Sequence, residues 1–376
     1  MTSENYRVSS RVAHVFSRMD PGGAELRTIE VVNRTRKTFD FVTVSGKAGQ
    51  LDDQLAREGH RVHRESMSLV GLVRIGLLFR RNRFDVVHSH LGAASGPVLL
   101  IATLCGVGVR IAHFRSDGVG GRASARRSLL LKVSRGLVNL CATRIVGVSP
   151  GSLTWGWREG WKRDRRCAVI PNGLDARALR QGAAPAIAQR PRALEHLVVI
   201  NIGRAEPSKN RGRAVRIWAQ LAAERPSTLL VVGEVNAADR LEIDAAAERV
   251  LPASRIVETG DSRDVPLNLG SAHVLLVTST REGLPGVVLE SLAIGVPVVA
   301  SELPGTEWIA SEVTSGVTLC DLGDVDSRWV RALLDAADQS DRADIQSRFD
   351  EAPFTIGKVV PMFEHLWRFK VRAAGE

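Results

Sequence analysis

A chain of 376 residues, 44% hydrophobic and 24% charged, is too long for one small domain and too mixed for a fibre or a disordered tail, which leaves a soluble globular protein of two domains. Four cysteines at positions 105, 141, 167 and 320 are scattered without a Cys-x-x-Cys pair, which argues against a disulfide framework and a cysteine zinc site and fits a reducing cytoplasm. The net charge of +10 is uneven: residues 1–180 hold 30 Lys and Arg against 14 Asp and Glu, whereas residues 181–376 hold 21 against 27. A basic first half suits nucleic acid, an anionic membrane or an acidic substrate, or is simply solvated arginine.

The polar opening "MTSENYRVSS" has no apolar secretory core. Beyond it, short β-rich runs predict strands at 11–17, 39–45, 61–66, 84–90, 109–116, 144–149 and 167–173, with helical stretches between them. Two of those stretches, 68–84 and 122–144, combine leucines with Lys and Arg. In a sheet-and-helix domain most of these leucines are expected in the core. The clusters Arg80-Arg81-Arg83 and Arg122-Arg126-Arg127 then remain for an anionic membrane surface. The uncharged run Leu91–Val109 approaches membrane-spanning length, but its early Gly, Ser and Pro read better as a loop leading into a buried helix.

The stretch 181–196 breaks the alternation and reads as a linker. Strands resume at 197–203, 227–234, 255–260, 273–279, 296–301 and 316–320. Strand–helix alternation on both sides predicts α/β architecture: two Rossmann-like domains facing across a deep cleft, with ligands at the carboxyl ends of the strands. The expected division is 1–180, linker 181–196, 197–354, and a last helix in 355–376 that returns to the first domain.

The chemistry concentrates in the second domain. In "REGLPGVVLESLAIGVPVVAS", Glu282 sits in a loop after a strand and Glu290 about one turn into the following helix, which Gly295 closes. The helix-start N–H groups of Gly286 and Val287 can bind an anion, while Pro285 has none to offer. A carboxylate beside such a site suits neutral hydroxyls, as on sugars and ribose; alternatively Glu290 is only a charge favoured by the helix dipole. In "NIGRAEPSKNRG", Arg204 and Lys209 follow a strand and open a helix, a pair able to neutralise a diphosphate, or an ordinary solvated pair.

These segments, together with "PGGAE", "DVVHSH" and "VIPNGLD", resemble the retaining glycosyltransferases of family 4, whose fold is GT-B, over nearly the whole chain. The resemblance implies a hexosyl transfer from a nucleotide-diphosphate-sugar to a glycan, lipid-linked or small-molecule acceptor, with no metal or other cofactor. It implies that Arg204 and Lys209 hold the diphosphate and that Glu290 holds the ribose. Glu282, with backbone at Gly283, Leu284, Gly286 and Val287, would engage the sugar. It places His113 near the sugar and acceptor, where a buried structural histidine is the alternative.

Gly22 and Gly23 would let backbone approach the donor phosphates or acceptor, or simply form a tight turn. Gly286 stands where the family often has Asn, and Ser291 where it often has Ala. His88 and His90 could suggest zinc but lack an acidic or cysteine companion, and Asp324-Val325-Asp326 reads as a helix start. Two rivals remain: a nucleotide-sugar epimerase on the same fold, and a nucleic-acid-binding protein, which 5% aromatic content disfavours. The expected location is cytoplasmic, with peripheral contact to the inner face of the plasma membrane.

Overall fold

The computed structural model describes residues 11–35, 37–116, 125–190, 195–260, 264–339 and 341–368. It divides into two compact units, 1–173 with 357–376, and 174–356. All thirteen expected strands are present.

The first unit carries β1 (Val12–Phe16), β2 (Asp40–Thr43), β3 (Arg61–Arg64), β4 (Val86–Ser89), β5 (Val109–Phe114), β6 (Arg144–Gly147) and β7 (Cys167–Val169). They form one parallel sheet in the order β3-β2-β1-β4-β5-β6-β7. Its crossover segments are α1 (Gly23–Arg34), α2 (Asp52–Arg57), α3 (Leu69–Asn82), α4 (Gly96–Leu104), α5 (Ala125–Cys141) and α6 (Pro150–Gly156). Local chemistry sets the helix starts: the Ser68 hydroxyl accepts from Gly71 N–H at α3, and Ser149 with Ser152 forms a capping box at α6.

The sheet's α3–α4–α5 side is a continuous core that includes Ile75, Phe79, Val98, Leu99, Ala102 and Val138. The long uncharged run at 91–109 thus holds only a nine-residue helix, α4, packed in this layer. Among the described residues no helix is long and apolar enough to cross a membrane.

The second unit begins with α7 (Ala176–Gln189) and continues β8 (Leu197–Ile202), α8 (Arg211–Ala222), β9 (Ser227–Val232), α9 (Ala237–Ala247), β10 (Arg255–Glu258) and α10 (Val265–Ser271). It closes with β11 (Val274–Val277), α11 (Gly286–Ile294), β12 (Val298–Ser301), α12 (Pro304–Val313), β13 (Val317–Cys320), α13 (Asp326–Gln339) and α14 (Arg342–Glu351). Its parallel sheet runs β10-β9-β8-β11-β12-β13 around a core centred on Trp218 and Trp329. The last helix, α15 (Ile356–Leu366), belongs with the first unit from Gly357 onward.

The linker expectation needs correction. Of residues 181–196, 181–189 lie inside α7, and 191–194 fall outside the described residues. Six alanines in that helix favour it, and Asp175 caps its start by accepting from Ala178 N–H at 3.1 Å. Small residues let α7 lie tightly on α10: a side chain at Gly270 would come within 2.5 Å of the Ala183 carbonyl. Arg180 then fixes the helix, binding the Asp350 carboxylate through both terminal nitrogens at 2.9 Å and the Ala293 carbonyl at 2.8 Å. The stretch is an integral part of the second unit, and the chain passes between units at Gly173 and again at Ile356.

Candidate active site

In a doubly wound sheet, the loops on either side of the strand where the order reverses diverge and leave room for a ligand. In the second unit that reversal lies between β8 and β11. The loop after β8 carries Arg204 and Lys209, and the loop after β11 carries Glu282. Hydrogen bonds stitch the two loops: Thr280 N–H donates to the Ser208 carbonyl at 2.8 Å, and the Thr278 hydroxyl to the Asn210 carbonyl at 2.9 Å. Gly203 permits the approach of Lys209, whose stem would lie 3.3 Å from any added side chain there.

The outcome is a direct ion pair, Lys209 Nζ to Glu282 Oε1 at 2.7 Å, and the Ser279 hydroxyl donates to the same oxygen at 2.7 Å. Lys209 and Glu282 are both mostly buried. Arg204 is not drawn in: its side chain is 73% exposed and pairs with Glu206 at 3.1 Å, a surface contact of about 0–1 kcal/mol.

Gly283 is pressed from behind by α12, since a side chain at Gly305 would sit 2.6 Å from the Gly283 carbonyl. Leu284 is buried and anchors the loop. Pro285 leads into α11, whose first N–H groups, at Gly286 and Val287, have no acceptor within the helix. A side chain at Gly286 would meet nothing within 4 Å, so the space above this helix start is open. Glu290 lies on the half-buried side of the same helix, and Gly295, in the left-handed region at φ 82°, ends it. Ser291 turns inward and donates to the Val296 carbonyl at 2.9 Å.

The first unit has its reversal between β1 and β4. Gly22 caps α1 in extended conformation and Gly23 begins it, both adjoining β1. Register sets His14 of β1 opposite His88 of β4, and alternation puts His90 on the same face. His113 of β5 joins them, and all four rings cluster under Phe363 and Trp367 at the chain's far end.

Two donors that cannot accept fix the protons. Trp367 Nε1–H donates to His88 Nδ1 at 3.1 Å, so His88 carries its proton on Nε2 and donates to His113 Nδ1 at 3.0 Å. Arg115 Nε–H donates to His90 Nδ1 at 3.1 Å, so His90 Nε2–H donates to His14 Nδ1 at 3.0 Å. Each chain ends on a buried N–H, His113 Nε2 or His14 Nε2, without an acceptor among the described residues.

This order of donors works against zinc at the pair 88 and 90. Nitrogens of His14, His88 and His90 lie within 4.8 Å of one another. A metal-bound imidazole needs a lone pair inward and a proton outward toward an acceptor. His88 and His90 meet donors on one nitrogen and must donate from the other, so neither has a lone pair left. Burial, with the Arg115 charge adding to it, pushes His14 down to about 3 and holds His88, His90 and His113 well below the ordinary histidine range. The Asp324-x-Asp326 pair is likewise occupied, Asp324 by Arg328 at 2.9 Å and Asp326 by Arg213 at 3.4 Å.

Family models assign both halves of the chain: Glycosyltransferase Family 4 matches residues 21–178, and Glycosyl transferases group 1 matches residues 196–339. The chain belongs to these glycosyltransferases. EpsF of Bacillus subtilis is 26% identical over 346 residues, 87% of this chain and 88% of that protein. The Escherichia coli UDP-Gal:alpha-D-GlcNAc-diphosphoundecaprenol alpha-1,3-galactosyltransferase is 25% identical over 289 residues, 73% of this chain and 71% of that one. Among solved structures, HepE of Anabaena in complex with UDP and glucose superposes with a TM-score of 0.76 at 18% identity, covering 95% of this chain and 99% of that one. The fold is therefore GT-B.

Three residues of the glycosyltransferase escaped the sequence reading. Arg211 is 2% exposed and braces the loop beneath Lys209, bonding the carbonyls of Gly203 and Glu234 and the Asp239 carboxylate. Arg115 joins two loops of the first unit to α1, donating to His90, to Asn172 at 3.2 Å and to Thr28 at 2.9 Å. Burial lowers its pKa to about 10, against the opposing pull of Glu25. Trp367 sits 279 residues from its partner His88. Arg211 and Arg115 each lie two residues past a residue the motifs singled out, which is the only local signal they give.

Proposed function

We propose that this glycosyltransferase moves a sugar from a nucleotide-diphosphate donor to an acceptor hydroxyl with retention at the anomeric carbon, in the assembly of a surface polysaccharide or glycolipid. The observation that carries the reading is the junction of Lys209, Glu282 and the start of α11 at the reversal of the second sheet. It sets a cation and a helix N-terminus, both suited to phosphate, beside a carboxylate suited to hydroxyls. Similarity to a protein solved with UDP and glucose supports the donor class, and similarity to a diphosphoundecaprenol galactosyltransferase supports a lipid-linked acceptor.

In the proposed reaction the donor diphosphate binds Lys209 and the N–H groups of Gly286 and Val287, and Arg204 swings from Glu206 to join them. Glu290 accepts from the ribose hydroxyls, and Glu282 accepts from the sugar. The bond from the anomeric carbon to the diphosphate oxygen breaks as charge grows on that oxygen, which the fixed cations stabilise. The acceptor oxygen bonds to the same face, and its proton passes to the departing phosphate. The cations take the part a metal would play, so chelation with EDTA leaves the rate unchanged. The cytoplasmic placement rests on the four free, widely spaced cysteines.

The test is to incubate purified protein with UDP-, GDP- and dTDP-sugars and a polyprenyl-diphosphate-sugar acceptor, and to read the product's anomeric configuration by NMR. Transfer with retained configuration is expected. An inverted product, or an epimer formed from donor alone, overturns the proposal.

A further inference from the structure

The helices α3, α4 and α5 lie side by side on one face of the first sheet. Gly76 of α3 meets Ile101 of α4, and Gly96 at the start of α4 donates to Ser134 of α5. Their inner faces form core, as expected, but their outer faces do not follow the expectation that the leucines pack inward. On α3, Gly71, Ile75 and Phe79 are buried while Leu69, Val70, Val73 and Leu77 are 55–84% exposed. On α5, Ser134, Val138 and Cys141 are buried while Leu129, Leu130, Val133 and Leu140 are 57–78% exposed. Both exposed sets recur at three- and four-residue steps, so each helix has a second apolar stripe turned to solvent. Sixteen large apolar side chains are exposed among the described residues, and nine of them belong to this layer. Scattered exposed leucines need no explanation; a concentration of this kind marks an interaction surface.

The charges identify the partner. Neither α3 nor α5 contains a single Asp or Glu. Arg74, Arg80 and Arg81 on α3, and Arg126, Lys132 and Arg135 on α5, are exposed beside the apolar stripes. Of the cluster expected at 122–127, Arg122 lies outside the described residues, and Arg127 is described in backbone only. We propose that this face docks onto an anionic lipid bilayer, with the outer leucines and valines entering the interface and the basic side chains meeting the headgroups. A bilayer supplies apolar depth and negative charge together. A second copy paired through the same face about a two-fold axis would bring two acid-free basic surfaces into contact.

The test uses the full chain in cosedimentation with phosphatidylcholine vesicles, with and without about 30 mol % phosphatidylglycerol. Binding is expected only with the anionic lipid, and it should weaken as salt rises. The double change Val73→Asp and Leu77→Asp should lower partitioning at least about tenfold, and Arg80→Ala with Arg81→Ala should lower it by a similar factor. An unchanged thermal transition establishes that each variant is folded; should the α3 pair fail that check, Leu129→Asp with Leu130→Asp on α5 replaces it. Three results overturn the proposal: parent protein left in the supernatant with anionic vesicles at low salt, apolar-to-Asp variants that bind as well as the parent, or a parent dimer in sedimentation velocity that those variants dissociate.

Discussion

Lys209 and Glu282 neutralise each other at 2.7 Å, so removing either one strands its partner in a mostly buried place. Lys209→Ala should lower kcat/KM by roughly 30- to 1000-fold, the equivalent of about 2–4 kcal/mol of lost stabilisation of the leaving diphosphate. A folded variant within threefold of the parent would exclude Lys209 from the diphosphate. The two carboxylates should separate kinetically. On the proposed roles, Glu290→Gln removes a ribose contact made equally in ground and transition states and should raise KM, whereas Glu282→Gln should mainly lower kcat, because the sugar it holds acquires charge only as the bond breaks. Identical pure KM effects would merge the two roles. His113 allows a test that needs no substrate. If Trp367 sets its proton position through His88, Trp367→Phe frees the His88 ring to turn over. Two-bond nitrogen–proton NMR should then show the His113 proton shifting from Nε2 toward a mixture of tautomers, and an unchanged Nε2–H signal would break the relay.

At the scale of elements, the four histidines on β1, β4 and β5 and at the end of β4 form a neutral layer against the first sheet. Their native pKa values are lowered by burial first and by neighbouring positive charge second. A base whose pKa is lower in the folded than in the unfolded state is most stabilising above the unfolded value. Nothing is lost above about pH 6.5. Below it the unfolded chain takes up protons that the folded chain refuses, and each such histidine costs about 1.4 kcal/mol per pH unit. For His14 the loss continues down to about pH 3. The transition temperature should therefore be flat from pH 8 to 7 and fall steeply from pH 6.5 to 5.5; a flat profile to pH 5 would mean the rings are protonated without cost.

The sequence showed which strands exist but not this layer. β-branched runs declare each strand locally, while the meeting of His14 with His88 depends on β4 crossing to pair with β1. Local motifs likewise exposed Arg204, Lys209, Glu282 and Glu290, yet the Lys209–Glu282 bond spans 73 positions and needs the β8–β11 neighbourhood. α7 was hidden for a different reason: Gly182 and Pro185 look like breakers until Pro266 and Gly270 of α10 are set against the helix. The outer leucines of α3 were legible as apolar, but a helix with two apolar stripes does not say which one faces the sheet.

At the scale of the whole molecule, the chain leaves its first unit at Gly173 and returns at Gly357 to finish it. The returning segment covers one face of the first sheet. Trp367 packs against Phe39 and edge-on to His14, Phe363 against His88 and His113, and both are about 5% exposed. Arg144 of β6 holds the end of α15 through the carbonyls of His365 and Leu366. Within the second unit, Leu174 N–H donates to the Phe354 carbonyl and Ile356 N–H to the Leu174 carbonyl. Trp367→Ala should accordingly cost about 3–5 kcal/mol, as expected when a large buried aromatic is deleted, and the loss should fall on the first unit. Deleting residues 357–376 should go further, baring the histidine layer and the neighbouring phenylalanines to water, so that the first unit no longer melts cooperatively. Calorimetry of the truncated chain should retain one transition, and hydrogen exchange should place its protection in 174–356 and not in 11–173. Protection in β1, β4 and β5 at the parent's level after truncation would show that the first unit closes its sheet without the returning helix.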